Sequence, residues 1–348
     1  MTTPALLWRS LQGDTVQCRL CAHFCRIEEG RTGRCGVRRN EGGSLVSLSY
    51  DKVAALHLDP VEKKPLFHFL PGTTTLSLGT PGCNLDCAFC QNWSLSQPPR
   101  QGRPVEGERI APRDIVRMAR TSGAASIAYT YSEPTIFFEL MLETASLARE
   151  EGLANIMVSN GFQSPECIDE LNGLIQAANI DLKSFREEFY RDICGARLKP
   201  VLDNLGHMKR LGWHLEVTTL LIPDENDSEG ELHDIARFLH AELGADTPWH
   251  VSRFHPCHRM QHHPPTPLDT LKRAYDIGRA EGLQYVFVGN VPGSGLENTV
   301  CPGCGRTVVE RSGFTVLRHR LQHGKCRDCG REIIKEPWTG GTDRQRGF

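Results

Sequence analysis

Cysteine is the residue type that could do unusual chemistry here. The 348-residue chain has 14 cysteines, and most fall in three tight groups. The middle group is Cys83-x3-Cys87-x2-Cys90, in the stretch LSLGTPGCNLDCAFCQNW. It follows directly on a short apolar run of strand character. Three thiolates can hold three corners of a four-iron cluster and leave the fourth iron open to an outside ligand, much as a catalytic zinc keeps one open position. A structural zinc favours four protein ligands, and no fourth cysteine is near in sequence. Gly79, Pro81 and Gly82 allow the loop to wrap tightly, with its amides close to the cluster sulfurs.

The flanking groups carry four cysteines each. The first is Cys18-x2-Cys21-x3-Cys25-x9-Cys35. Four thiolates close a site without outside help, and their spacing suits either zinc or a second iron–sulfur cluster. A second cluster would relay an electron or anchor a substrate, whereas a zinc would staple the module. Residues 18–40 hold six Arg and two Glu, and positive charge beside thiols favours the ligating thiolate. The last group, Cys301-x2-Cys304 with Cys326-x2-Cys329, has the paired knuckles of a zinc ribbon. Of the solitary cysteines, Cys167 and Cys257 read as core residues. Cys194, in CGAR after the expected fourth strand, is a candidate catalytic group.

These groups need a scaffold. Seven apolar runs suit buried parallel strands: TLSLGT, SIAYTY, NIMVS, NIDLK, HLEVTTLLI, HVSRF and YVFVG. Helical patterns fill most of the gaps. Pro112 opens one, Pro134 a second ending near Gly152, and Ser164–Pro165 a third. Others fit 200–211, 229–243 and 268–281, the last two ending at Gly244 and Gly282. Alternating strands and helices imply an α/β architecture, with either a doubly wound sheet or an open barrel. In both, functional groups gather at the carboxyl ends of the strands. Those ends carry Glu133, Ser159 and Asn160, Asp181 and Lys183, His255, and Asn290. Lys183 and His255 are candidate acid–base groups, with a simple ion pair or a capped loop histidine as the alternatives.

Bulk properties narrow the class. The net charge of −2 and the 39% hydrophobic content give no pull toward nucleic acid or an anionic membrane. The basic C-terminal ribbon permits an acidic partner without arguing for one. No stretch of 18 apolar residues suggests a membrane span, and MTTPALLWRSLQGDTV does not read as a signal peptide. Cytoplasmic residence and reduced thiols are expected.

The C-x3-C-x-aromatic-C pattern, with Phe89 as the aromatic, resembles the hallmark of the radical S-adenosylmethionine (SAM) superfamily. SNG at 159–161 and DLK at 181–183 look like segments of pyruvate formate-lyase activating enzyme and its relatives. Val158 stands where that group has an acidic residue. The stretch CRLCAHFCRIEEGRTGRCGVRRN, with DPVEKKPLFHFLPGT, RFHP, YVFVGNVPG and the C-terminal knuckles, resembles the AmmeMemoRadiSam-system radical SAM enzymes. Cys257 follows RFHP where such relatives often have Asp.

The resemblance implies a [4Fe–4S] cluster on Cys83, Cys87 and Cys90 that binds SAM at its open iron. Glu133, Ser159, Asn160, Asp181, Lys183 and Asn290 would be cofactor-side residues. It also implies a flavodoxin or ferredoxin as electron donor, and Memo-like and AmmeCR-like partners. The fold expected is a partial (β/α)6 TIM-like barrel with an N-terminal Cys-rich module and a C-terminal zinc-ribbon-like module. Its parts would be a metal module at 1–44, a connector at 45–72, the core at 73–296, the ribbon at 297–340 and a disordered tail at 341–348. The functional classes left open are a radical enzyme with an outside substrate, a glycyl-radical activase, and a non-catalytic iron–sulfur electron carrier. An open iron corner argues against the carrier, because carriers close all four positions.

Overall fold

A computed structural model describes residues 3–291 and 293–334. The expected tail at 341–348 and the end of the ribbon at 335–340 lie outside the described residues. The centre is one eight-stranded sheet. Its strands are β1 (Ala55–Pro60), β2 (Thr74–Gly79), β3 (Ser126–Tyr129), β4 (Ala154–Ser159), β5 (Ala177–Asp181), β6 (His214–Leu221), β7 (Trp249–Arg253) and β8 (Val286–Gly289). They lie side by side in chain order, and the two outermost, β1 and β8, leave the barrel open. β1 pairs antiparallel with β2, while β2 through β8 are parallel. These seven parallel strands are the seven apolar runs.

The crossovers contain α1 (Pro112–Thr121), α2 (Phe138–Glu150), α3 (Pro165–Glu170), α4 (Leu198–Arg210), α5 (Glu229–Phe238) and α6 (Leu268–Ala280). Local chemistry sets their starts. Pro112 and Pro165 occupy first helical positions, and the Ser164 and Ser228 hydroxyls accept from the N–H of Cys167 and Glu231. α2 begins later than Pro134 suggests, because Pro134–Phe137 forms a tighter 3₁₀ turn first.

The segment expected as a connector does more than connect. It supplies β1, and its next residues plug the barrel. Val61, Leu66 and Phe69 pack with Ala128, Ala154, Ile156 and Ala177 from β3, β4 and β5. Small residues on the strands make room for the plug. Glu216 of β6 fixes it by accepting from the N–H groups of Phe67 and His68 at 3.0 and 2.7 Å. His214 and His250 also reach this carboxylate. They hold it well below the usual carboxylate range despite its burial.

The N-terminal module is not a separate globule. Its Val16, Leu20, Ile27 and Val37 belong to the same hydrophobic core as the barrel helices. A buried ion pair, Arg38 to Glu139 of α2 at 2.9 Å, clamps it there. Arg38 also donates to the Leu6 carbonyl, and Glu139 accepts from the Leu6 N–H at 2.7 Å.

The C-terminal module is a three-stranded antiparallel sheet with a small hairpin. It packs through Val308, Val309, Leu321 and Ile333 against Phe67, Tyr285 and Phe287. Arg311 is the bolt: it donates to the Phe67 and Glu297 carbonyls and stacks over the Phe67 ring at 4.2 Å. Phe67 and Tyr285 lie toward the amino ends of the strands, so the ribbon sits away from the strand ends that carry the central cysteines.

Candidate functional site

β2 ends at Gly79, and the chain turns at once into the cysteine loop. Two glycines make this turn possible. A Cβ at Gly79 would stand 2.6 Å from the Thr130 carbonyl oxygen, and one at Gly82 would strike Val37 at 2.8 Å. Gly82 also has a positive φ of 110°, which side chains disfavour. The loop is then strapped down by backbone bonds from Asp86 N–H to the Cys194 carbonyl and from Ala88 N–H to the Ile193 carbonyl, both 2.9 Å.

The three thiols converge: Cys83 feels the charge of Cys87 and Cys90, and Cys90 that of Cys87. Burial pushes Cys83 well above the ordinary thiol range and raises Cys90. Cys87 moves down, chiefly because the Cys194 thiol hydrogen-bonds to it, with Lys183 nearby as a further lowering charge. The Leu85 N–H points at the Cys83 sulfur, and Ser96 Oγ lies 3.3 Å from that of Cys90. Phe89 is buried in the core beneath the loop. Its carbonyl accepts from the Cys257 thiol at 3.1 Å.

Glu133, Asn160, Asp181 and Lys183 stand around this loop. Residues alternate along β5, so Ala177, Asn179 and Asp181 face the barrel interior. Lys183 pairs with Asp181 at 2.8 Å, and its ammonium lies 5.7 Å from the Phe89 ring centre. Burial opposes its charge, but Asp181 and the Cys87 and Cys194 sulfurs outweigh that and raise its pKa well above normal. Lys183 is therefore a fixed cation beside the cysteine loop. Val158, on the inward side of β4, is half-buried at the same rim.

Glu133 is buried, and its oxygens already have partners. Oε1 accepts from Thr135 N–H, Thr135 Oγ1 and Ser159 Oγ at 3.1, 2.6 and 2.8 Å, and Oε2 accepts from Asn160 N–H at 2.9 Å. It ties the turn after β3 to the turn after β4. Burial raises its pKa against those hydrogen bonds. Asn160 donates to Asn84 Oδ1 at 2.7 Å and lies 3.9 Å from the Cys83 sulfur. Asn290 sits in the left-handed region at φ 62° and donates to the Arg253 carbonyl. His255 is exposed on the loop after β7. Cys194 is fully buried against Cys87, so its place is under the cysteine loop and not on an open face.

Two groups had no signal in the sequence. Asn84, inside the cysteine motif, links Asn160 to His23 of the N-terminal module, whose Nε2 lies 2.9 Å from the Asn84 carbonyl. Asp59, Lys64 and Tyr131 form a polar network, with Asp59 to Lys64 at 2.7 Å and Tyr131 Oη to Asp59 at 2.5 Å. No strand-end rule marks Asp59 or Lys64, because they come from β1 and the plug.

The two outer cysteine groups differ in geometry. In the ribbon, Cys301 to Cys329 and Cys304 to Cys326 have sulfurs 3.5 and 3.7 Å apart. All four ligand atoms lie within 4.8 Å of one another, so this cluster could hold a metal ion. Against burial, the amides of Cys304 and Gly303 help to bring the Cys301 thiol down to about 7. The N-terminal cysteines instead border a void beside Asn84. Their module is stitched to the barrel mouth by Ala22 N–H to the Phe162 carbonyl at 3.1 Å and a bridge between Cys21 and Gln163.

Comparison with known proteins gives the family. Residues 77–239 match the model of the radical SAM superfamily. An uncharacterized protein of Methanocaldococcus jannaschii is 41% identical over 331 residues, 94% of this chain and 98% of that one. A protein of the same archaeon, provisionally named as a glycyl-radical enzyme activating enzyme, is 29% identical over 45% of this chain and 64% of its own. The benzylsuccinate synthase activating enzyme of Thauera aromatica is 21% identical over 44% of this chain and 49% of its own. The chain belongs to the radical SAM superfamily. No helix among the described residues is long and apolar enough to cross a membrane.

Proposed function

We propose that this chain reductively cleaves SAM at a [4Fe–4S] cluster held by Cys83, Cys87 and Cys90, and uses the resulting radical on a substrate outside itself. One observation carries the reading: three cysteines converge on a glycine-tightened loop at the carboxyl end of β2, with the Lys183 cation beside them. The residues fit the cofactor. Three thiolates leave one iron open, and the fixed ammonium offsets part of their buried charge. With SAM on that iron, the cluster supplies one-electron cleavage to methionine and a 5′-deoxyadenosyl radical able to abstract hydrogen.

The chain's own residues bind, orient and exclude water. Cys194 donates its S–H toward Cys87, which favours the thiolate that ligation needs. Glu133 acts as a positioning residue, because its donors come from the protein: it sets the Ser159–Asn160 turn against the cysteine loop. Asp181 fixes Lys183, and Asn290 presents its backbone at the far rim, where we assign the adenosine side. His255 is the exposed group nearest to a substrate-side role. The ribbon cysteines suit zinc, since a tetrahedron with Zn–S of about 2.3 Å puts its sulfurs roughly 3.8 Å apart.

A flavodoxin or ferredoxin is the fitting electron donor. The N-terminal Cys and Arg pattern and the ribbon support placement with the AmmeMemoRadiSam-system enzymes, with Memo-like and AmmeCR-like proteins as partners. The relatives named for activating enzymes favour a second reading, in which the substrate is a backbone glycine of a partner protein. A stable glycine-centred radical on a co-purifying protein would select it.

The test is anaerobic reconstitution with SAM and a strong reductant, followed by assay of 5′-deoxyadenosine. Wild type should form it and Cys87→Ala should not. Absence of product from fully loaded wild type, or equal yield from the variant, would refute the proposal.

A further inference from the structure

The four N-terminal cysteines are not drawn together as the ribbon's four are. We propose that Cys18, Cys21, Cys25 and Cys35 bind a second [4Fe–4S] cluster, closed on all four corners, against the back of the SAM-cluster loop.

Size separates the two kinds of centre. A zinc ion draws four sulfurs into contact: at Zn–S of about 2.3 Å they stand roughly 3.8 Å apart, leaving no space between them. The ribbon has that geometry, with sulfur pairs at 3.5 and 3.7 Å. The N-terminal four do not. Among the described residues, the ribbon is the one set of three or more potential ligands whose atoms all lie within 4.8 Å of one another. Cys18, Cys21, Cys25 and Cys35 instead line a common small cavity of about 20 Å³, shared with Arg38 and Asn84. A four-iron cubane needs this wider arrangement, because each thiolate takes a different corner and the sulfurs stand on the order of 6 Å apart. The loop of Cys83, Cys87 and Cys90 serves as an internal reference. It too converges without forming a set within 4.8 Å.

The sulfurs are also prepared as ligands. The N–H groups of Leu20, His23 and Val37 point at the sulfurs of Cys18, Cys21 and Cys35. Each donor follows its cysteine by two residues, the local wrap that aims amides at a metal-bound thiolate. Cys21 also feels the charge of Cys18, Cys25 and Cys35 together, so the four face one centre. Apart from a metal centre, nothing in the fold explains four converging thiols around a void. The free thiols could have collapsed onto one another, as a small apolar cavity is destabilising.

Placement points the same way. Asn84 lines the void and is the next residue after Cys83. On the other side, a Cβ at Gly82 would come within 3.3 Å of the Cys35 carbonyl oxygen. The two centres therefore share a wall one residue thick.

The experiment counts iron, sulfide and zinc in the full chain, reconstituted anaerobically. Wild type should carry about eight irons and Cys18→Ser/Cys21→Ser about four, since each cubane holds four. That double variant could fail to fold, so the decisive sample is Cys83→Ala/Cys87→Ala/Cys90→Ala. It removes the proposed SAM cluster and should retain about four irons, with a reduced-cluster electron paramagnetic resonance signal that added SAM does not change. About four irons in wild type with two zincs, or an iron-free triple variant with intact fold, would overturn the second cluster. Because the triple variant lacks the SAM site, its result stands apart from whether the chain cleaves SAM.

Discussion

The Arg38–Glu139 pair offers a sharp test of how the N-terminal module is held. Both side chains are almost completely buried, at 2% and 5% exposure. Changing Glu139 to Met leaves the Arg38 guanidinium without its counter-charge and the Leu6 N–H without its acceptor. Removing one member of a buried pair typically costs about 3–5 kcal/mol, because the other charge stays buried. At roughly 2–4 °C per kcal/mol for a domain of this size, thermal unfolding of Glu139→Met should begin about 10 °C below wild type. The module should also be cut first in limited proteolysis. Arg38→Met should show a similar drop. The double variant Arg38→Met/Glu139→Met should recover much of it, since two apolar groups pack where one lone charge could not. Anaerobic scanning fluorimetry on metal-loaded protein measures all four. If Glu139→Met stays within about 1–2 °C of wild type, or the double variant falls by the sum of the singles, the pair does not hold the module.

Two further outcomes follow from the same geometry. Cys326→Ser should remove one zinc per chain and loosen the ribbon, while iron content and 5′-deoxyadenosine yield stay at wild-type levels; lost iron would show that the modules are coupled. Glu216 has its folded pKa depressed, so its stabilisation is full above the unfolded value of about 4.3 and is lost as pH falls toward and below the lower folded value. Glu216→Gln should therefore be less stable than wild type at neutral pH and show a flatter decline below about pH 4, measured by chemical denaturation across pH. An unchanged acid limb would count against the plug being held by this carboxylate.

The sequence determined much of this protein by local rules. The three thiols at 83, 87 and 90 announce their chemistry through spacing, because a loop of fixed reach can present them to only a few kinds of centre. The seven strands announce themselves as apolar runs, because strands covered on both faces need no alternation. Pro112 and Ser164 mark helix starts because caps are satisfied within a few residues.

What the tertiary structure alone decided comes from contacts far apart in the chain. Residues 45–72 look like a connector with some strand character, and they supply both β1 and the barrel plug. Their role depends on small residues at Ala128, Ala154 and Ala177 that lie elsewhere in sequence. Glu133 reads as a free carboxylate at a strand end, but its partners Ser159 and Asn160 arrive from the next strand and occupy it. Cys194 reads as a reactive thiol and is instead packed beneath Cys87. The spacing of the two outer cysteine groups fits more than one metal. The separation of their sulfurs is a three-dimensional quantity, and it draws the ribbon's four sulfurs together while leaving the N-terminal four around a void.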